Sequence, residues 1–358
     1  MSKSSSNFVT ESIPRLKRLL PRLKGQRIGV LGDVMLDRYL WGEATRLSPE
    51  AAVPVVDFVE VKETPGGAGN VAANLAALGA KVEMFAVVGD DEAGPILRTR
   101  LRAQGISDKS VLIEKKRATT LKTRVIAKQQ QIVRIDHEQR GPLRPETEQK
   151  LLRSLLGALD RLDSLVISDY LKGLITDSLA ERVLGACHKL KLPVFVAPKT
   201  SKLYAYRGAR AVVCNQDEAA SFVTHSLGDE KSIEEAGRAL LAHFGSSAVV
   251  ITRGKKGMSI FEESSPKHLM IPATSFEVTY ARVGKSGVEH GTTGRQVFDV
   301  TGAGDTVLSL LALAVTAGAT VPDAAILANT AAGVVVGKLG TASVSIQELE
   351  AALSDIIG

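Results

Sequence analysis

Phe298-Asp299-Val300-Thr301-Gly302-Ala303-Gly304-Asp305-Thr306 joins a strand-like segment to a helix predicted over 306–317, rich in Leu, Ala and Val. Gly302 and Gly304 flank one alanine, Ala303, just before that helix. A backbone so bare of side chains can turn successive N–H groups into one concavity at the positive end of a helix dipole. Such a nest suits a phosphate or an anionic transition state. Asp305 puts a carboxylate beside it. The pairing fits phosphoryl transfer to an alcohol: the carboxylate accepts the hydroxyl proton while main-chain donors hold the charge on the moving group. Taken alone, the same residues also read as a Gly-rich helix start with a first-turn acid that favours the dipole.

Nearer the N-terminus, Thr64-Pro65-Gly66-Gly67-Ala68-Gly69-Asn70 has the same character and opens a helix expected over 71–78, closed by Gly79. It matches neither Gly-x-Gly-x-x-Gly nor a P-loop. Asn70 reads either as the cap of that helix or as an amide for a sugar hydroxyl. Around these loops, buried strands at 82–88, 164–168, 193–197, 211–214 and 248–252 alternate with helices, as does the strand from Arg27 to Gly32-Asp33. That alternation predicts an α/β fold with a mostly parallel sheet. In such a sheet ligands collect at the carboxyl ends of strands. Asp33, with Asp37 four residues on, is therefore placed to hold a sugar hydroxyl, and Lys172 to neutralise a substrate phosphate; a turn acid, a solvated acid and a surface lysine are the plain alternatives.

Asn215-Gln216-Asp217-Glu218 follows the strand at 211–214. An amide and a carboxylate three apart on a first helical turn can hold a hydrated Mg²⁺ near nucleotide phosphates, or form a capping box with Asn215 as cap and Glu218 at N3. The run from Thr252 through Gly254 to Gly257 reads as a hairpin whose glycines let backbone approach a phosphate or purine. Residues 279–295 are polar, Gly-rich and aperiodic, and read as a mobile loop. Gly284-Lys285-Ser286 imitates the end of a P-loop, but Thr279 stands where that pattern needs Gly. A last Ala-rich helix is expected over 323–336. Within each of two stretches, 41–62 and 119–136, the chain reads as short strands with no helix between one strand and the next. They predict a small sheet laid over one edge of the main one as a lid, with a flat apolar face that meets a partner; a homodimer through these strands is the expectation.

The chain has 358 residues, no internal repeat and no linker long enough to divide it, so we expect a polar tail and amphipathic helix over 1–26 and one domain over 27–358. Aromatic residues make up only 4% against 44% hydrophobic in all, so Ala, Val and Leu must fill the core. The net charge is +6, part of it in Arg15, Lys17, Arg18, Arg22, Lys24 and Arg27. No aromatic-interleaved basic stripe follows, so nucleic acid is not an expected partner; a mildly basic balance suits a phosphorylated sugar and a nucleotide. Cys187 and Cys214 lie in apolar surroundings and imply neither a disulfide framework nor a Cys/His metal site. With no secretory leader and no bilayer-spanning apolar run, no membrane contact is expected and the cytoplasm is the expected location.

Together these segments resemble the ribokinase-type (PfkB) carbohydrate kinases. The Gly-Gly-x-x-Asn loop at 66–70 and the Thr-Gly-Ala-Gly-Asp loop at 301–305 carry the resemblance, in the right order, and it covers about 27–350. It implies a ribokinase-like three-layer α/β/α domain with a mostly parallel central sheet and a small β lid. ATP and Mg²⁺ are the implied cofactors, with a K⁺ requirement left open. Within the family, Gly32 to Tyr39, Ser48-Pro49-Glu50-Ala51, Val53 to Val56, Pro65 to Ala80, Lys122 to Ile126, Gln130-Gln131, Arg134-Ile135-Asp136, Val297 to Val307 and Gly333 to Thr341 are similar to the branch that acts on D-glycero-β-D-manno-heptose 7-phosphate. That implies transfer of the ATP γ-phosphate to O1, giving the 1,7-bisphosphate that leads to ADP-heptose for lipopolysaccharide cores.

By the same resemblance Asp305 is the base, and Gly302, Ala303 and Gly304 form the anion hole. Asn215, Gln216, Asp217, Glu218, Thr252, Gly254 and Gly257 serve ATP, with Asn329 and Lys338 near the purine and Glu218 meeting Mg²⁺ indirectly. Asp33, Asp37, Gly66, Gly67, Asn70, Arg124 and Lys172 serve the sugar phosphate. Many such relatives carry a fused nucleotidyltransferase domain; this sequence has no His-x-Gly-His, so only the kinase step is expected. It departs from the family at Leu171, where Gly is usual in Asp-Tyr-x-Lys-Gly, at Ala197, where Asp is usual before Pro-Lys, and in the length of the 279–295 loop. Two other readings stand beside the first: a PfkB kinase for another sugar or sugar phosphate, and a catalytically silent sugar-binding protein, against which the intact Asp305 argues.

Overall fold

Strands whose residues are apolar without alternation can only sit between two layers of helices. Arg27–Gly32 (β1) is such a strand, buried from Ile28 onward. The computed structural model describes residues 3–128, 130–199, 205–223, 226–274, 278–284, 287–293, 300–338 and 340–356. Its elements run α1 (Lys3–Leu23), β1, β2 (Val34–Leu47), β3 (Pro54–Gly67), α2 (Ala68–Ala77), β4 (Lys81–Gly89), α3 (Ala93–Ala103), β5 (Ser107–Glu114), β6 (Thr120–Ala127), β7 (Gln130–His137), α4 (Pro145–Leu156) and β8 (Ser164–Ser168). They continue through α5 (Asp177–Lys189), β9 (Val194–Ala197), β10 (Ala211–Asn215), α6 (Gln216–Val223), α7 (Glu230–Phe244), β11 (Ala248–Thr252), β12 (Met258–Glu262), β13 (Leu269–Ile271), β14 (Val278–Gly284), β15 (Gly287–Thr293), α8 (Ala303–Thr316), α9 (Val321–Val335) and α10 (Ile346–Ser354).

The main sheet has the order β13-β12-β11-β10-β9-β8-β1-β4-β5. The seven strands from β11 to β5 are parallel, and β12 and β13 close one edge as an antiparallel hairpin and its neighbour. Helices α1, α2, α8, α9 and α10 pack on one another along one face; α4 packs with α5, and α6 with α7, on the other. This is the expected three-layer arrangement. The chain leaves β1 in one direction through β4 and β5 and returns in the other through β8, β9, β10 and β11, so β1 and β8 flank the switch point.

Strands β2, β3, β6 and β7 form a separate sheet, ordered β3-β2-β6-β7. The lid is therefore where it was expected, but its first hairpin is longer than 41–62: β2 starts at Val34 and β3 runs to Gly67. Val34, Met35 and Leu36 are all buried where lid and body meet, so the period-two pattern that marks the outer part is absent there. Three further expectations are corrected. Where a loop was expected over 279–295, Val278–Gly284 and Gly287–Thr293 pair as antiparallel strands, β14 on β15, in register from Val278↔Thr293 to Gly284↔Gly287; the β-branched residues of both segments favour strands, and residues 285–286 and 294–295 lie outside the described residues. Helix α1 reaches back to Lys3 because no Gly or Pro interrupts the chain before Pro14. Its Ile13, Leu16, Leu20 and Leu23 are fully buried against α9, α10 and β13, so it is part of the body. Finally, α2 starts at Ala68 with Gly67 as its cap, which places Asn70 inside the first turn and rules it out as the cap.

Candidate active site

The carboxyl ends of β1 and β8 meet closely. A Cβ on Gly32 would stand 2.1 Å from the Ser168 carbonyl oxygen. Each strand delivers an acid at this point: Asp33 after β1 and Asp169 after β8, both buried. Asp33 accepts hydrogen bonds from the backbone N–H groups of Tyr170 (2.9 Å), Lys172 (3.1 Å) and Leu174 (3.2 Å). Its carboxylate thus organises the turn that follows β8, which the sequence did not indicate.

Asp305 is the third residue of α8. Its Oδ1 accepts from the Tyr170 hydroxyl at 2.6 Å and its Oδ2 from Asn70 Nδ2 at 2.9 Å. Burial pushes the carboxyl up to about 6, against the pull of those two hydrogen bonds and of the Lys199 charge. Burial and the Asp305 charge push Tyr170 well above the ordinary tyrosine value, which keeps it a hydrogen-bond donor. A carboxylate titrating near neutrality, oriented by two donors, is suited to take a proton from a hydroxyl.

Gly302 caps α8 in the left-handed region (φ 83°), and no side chain caps that helix. A Cβ on Gly302 would come within 2.6 Å of Asn70 Nδ2, so the close approach of the two Gly-rich loops requires glycine there. The Ala303 amide donates to the Val300 carbonyl at 3.2 Å. That engages one of the three amides expected over 302–304. Phe298 and Asp299 lie outside the described residues.

Two cavities adjoin at Gly304 and Thr252, which line both. One, of about 200 Å³, contains Asp305 with Gly302, Tyr170, Lys199, Asn215 and Glu218. The other, of about 220 Å³, is largely apolar: Met258, Ala273, Val307, Ala332 and Val336 line it, with Gly254, Gly257 and Asn329. A polar chamber for phosphates beside an apolar slot for a base is the division that a nucleotide requires. Gly257 (φ 83°) lies against the Ile271 carbonyl, where a Cβ would approach to 2.0 Å. Asn329 donates from Nδ2 to the Pro272 carbonyl at 2.7 Å, which fixes the slot wall.

Five residues expected to serve ATP or its metal stand differently. Asn215 and Glu218 form the capping box: the Glu218 N–H donates to Asn215 Oδ1 and the Asn215 N–H to Glu218 Oε2, each at 2.8 Å. The other Glu218 oxygen pairs with Lys199. Both residues still line the polar cavity, so capping and lining coexist. Asp217 is exposed, and Gln216 donates to the Leu227 carbonyl; neither lines a cavity, because the helix turns them away. Lys338 also lines neither; its Nζ lies 2.7 Å from Glu348 and 2.8 Å from the Ser343 carbonyl, tying α10 to the end of α9.

On the opposite side, the lid meets the body over a charged cluster. Arg124 Nη1 lies 2.6 Å from Asp37 Oδ1, and a Cβ on Gly66 would stand 2.1 Å from Asp37 Oδ2, so glycine is needed there. Gly67 (φ 56°) makes the turn into α2. Lys122 shares the Arg124 face of β6 and lies 2.9 Å from Asp136; Lys172 lies 2.6 Å from Glu138. Burial pushes Asp37 up, and Arg124 opposes it. Asp136 and Glu138 are pushed up by burial too, but hydrogen bonds and charge from Lys122, Arg134, Arg140 and Lys172 outweigh it and hold both low. The lid is tied to the C-terminal region by a 2.8 Å hydrogen bond between the Thr64 and Thr341 hydroxyls. Among the described residues no cluster of three metal-ligating side chains occurs, and no helix is long and apolar enough to cross a membrane.

This arrangement suits phosphoryl transfer from a nucleotide to a small alcohol. Residues 26–348 match the pfkB family carbohydrate kinases, and the chain belongs to that family. That family is one of carbohydrate kinases. It is 44% identical over 324 residues to the bifunctional protein HldE of Geobacter sulfurreducens, covering 90% of this chain and 62% of that protein. Against HldE of Desulfatibacillum aliphaticivorans the identity is 42% over 329 residues, covering 92% and 63%. The chain therefore spans about three fifths of the length of the curated relatives it matches. Among solved structures it is similar to phosphofructokinase-2 from Escherichia coli in complex with potassium (TM-score 0.72) and to Arabidopsis thaliana ribokinase complexed with ribose and ATP (TM-score 0.66). Each is 17% identical and covers 93% of this chain and 99% of its own, a likeness of fold.

Proposed function

We propose that the chain transfers the γ-phosphoryl group of ATP to O1 of D-glycero-β-D-manno-heptose 7-phosphate, giving the 1,7-bisphosphate. The observation that carries the second phosphate in this reading is the cationic cluster of Lys122, Arg124, Arg134 and Lys172 under the lid. Three acids, Asp37, Asp136 and Glu138, hold these cations in place. A free sugar has no use for such charge, whereas a phosphate remote from the reacting hydroxyl can displace the acids and take two or three charge-assisted hydrogen bonds.

The chemistry follows from position. ATP lies with its base in the apolar slot and its phosphates in the polar chamber. Asp305 takes the proton from the acceptor hydroxyl as the γ-phosphorus is attacked; the Gly304 and Asp305 amides and the Lys199 ammonium face the charge that moves with the phosphoryl group. Asn70 holds the base and lies between the two Gly-rich loops. When bound, Mg²⁺ would neutralise nucleotide phosphates; Glu218 is the carboxylate beside them, and since both its oxygens are engaged any contact passes through water. A monovalent cation such as K⁺ is a further candidate, tested by comparing rates in K⁺ and Na⁺. A reaction drawing on ATP and a sugar phosphate belongs in the cytoplasm.

The outer face of the lid carries Phe58 at 65% exposure, with Val59, Val61, Ile132, Val133 and Ile135 also exposed. An apolar sheet face of this extent is suited to a second copy of the chain. Turnover on heptose 7-phosphate, fructose 6-phosphate and ribose with Mg-ATP tests the substrate. Fastest turnover on a sugar other than heptose 7-phosphate would defeat that assignment, and tight sugar binding with no turnover of any would point to a silent binder.

A further inference from the structure

We propose that Tyr170 is a positioning residue for Asp305, and that Asp33 and Asp169 act by holding the turn that delivers it. The proposal rests on the reading of Asp305 as the base. Two donors grip that carboxylate from different sides, Tyr170 on Oδ1 and Asn70 on Oδ2, and so fix its plane. Asn70 comes from a helix. Tyr170 comes from a turn, which has no ladder of its own to hold it.

Two buried carboxylates supply the missing rigidity. Asp33 accepts from three successive alternate amides, those of Tyr170, Lys172 and Leu174. Asp169 accepts from the Leu171 amide at 2.8 Å and from the Tyr206 hydroxyl at 2.6 Å. Leu171 between them is left-handed (φ 54°), a conformation that a β-carbon resists and that persists only where surrounding contacts enforce it. Three amides take most of the roughly four lone-pair directions of the Asp33 carboxylate. Asp33 therefore serves the turn, where the sequence suggested a sugar contact. The same Asp33 oxygen holds the amides of Tyr170 and Lys172, so one acid sets both the base side and the phosphate side of the site.

The groups facing Asp305 are Tyr170, Asn70, Lys199 and, at longer range, Asp37. Lys199 Nζ also stands 5.3 Å from the centre of the Tyr170 ring. Tyr170→Phe removes one donor to the ionised carboxylate and leaves the ring and its neighbours in place. Losing a hydrogen bond to the charged form moves a carboxyl upward.

The test is the pH dependence of kcat/KM for the phosphorylated sugar. In the unaltered protein the acid limb falls near pH 6, the value to which burial pushes Asp305. Tyr170→Phe is expected to move it up by about one pH unit and to lower kcat about tenfold, with sugar KM unchanged. Asp33→Asn is expected to move limb and kcat the same way, and to add little in the Tyr170→Phe background. An unmoved limb and unmoved kcat in Tyr170→Phe overturn the proposal. So does an Asp33→Asn protein with raised sugar KM and an unshifted limb, which would make Asp33 a sugar ligand. Tyr170→Phe decides alone if Asp33→Asn does not fold. Absence of any acid limb near 6 in the unaltered protein would instead remove Asp305 as the base, and this proposal with it.

Discussion

Replacing Asp305 by Asn separates chemistry from stability in a way the geometry makes quantitative. The carboxyl sits about two pH units above its ordinary value of 3.8. The folded protein therefore binds that proton more tightly than the unfolded chain does. Stability from this group is greatest below pH 4 and is lost as pH rises through 6, the reverse of a salt-bridged Asp. At pH 7 the buried charge costs about 3 kcal/mol. Asn removes that cost. It also offers one acceptor oxygen to two donors, Tyr170 and Asn70, and an unsatisfied buried donor costs about 1–3 kcal/mol. The two effects nearly cancel. We expect kcat to fall at least ~10²-fold through loss of the base, while urea unfolding at pH 7 shifts by about 2 kcal/mol or less and the fall in stability between pH 4 and 7 flattens. Coupled detection of ADP gives the first quantity, and urea titrations at pH 4.5 and 7 give the others. Near-normal kcat, or a loss of activity that only tracks a collapse in stability, would refute the reasoning.

Other expectations follow from the same geometry. Arg124→Ala and Lys172→Met should each raise KM for the phosphorylated sugar about tenfold or more and leave KM for ATP unchanged, as steady-state kinetics would read out. Gly302→Ala should lower kcat about tenfold, because φ of 83° strains the backbone and the new methyl displaces Asn70 from Asp305; near-normal kcat would argue against the Asn70 contact. Phe58→Asp with Ile135→Asp should convert a dimer at micromolar concentration to a monomer by light scattering; an unaltered protein that is already monomeric contradicts the lid interface.

The parts legible in the sequence are those written in local pattern. The parallel sheet showed itself as uninterrupted apolar runs, and the Gly-rich starts of α2 and α8 showed themselves as loops without Cβ atoms. That Asp305, Gly302 and Gly304 line one cavity was readable because a helix start fixes where its residues point. The role of Asp33 was not, since its three amide donors come from residues 170–174, far along the chain. Tyr170 was missed for the same reason, though its place just after a strand at the switch point, two residues before Lys172, was an available signal. Lys338 was misplaced because a lysine's long stem lets packing decide its partner, here Glu348. The pairing of 278–284 with 287–293 was hidden by glycines, which resemble a loop by composition while the β-branched residues beside them favour strands.

The most direct test is a crystal structure of the protein with heptose 7-phosphate and a non-hydrolysable ATP analogue. The account predicts the anomeric oxygen within about 3 Å of an Asp305 carboxylate oxygen, in line with the γ-phosphorus, and the 7-phosphate on Lys122, Arg124 and Lys172. A sugar bound the other way round, its anomeric oxygen out of reach of Asp305, would contradict it.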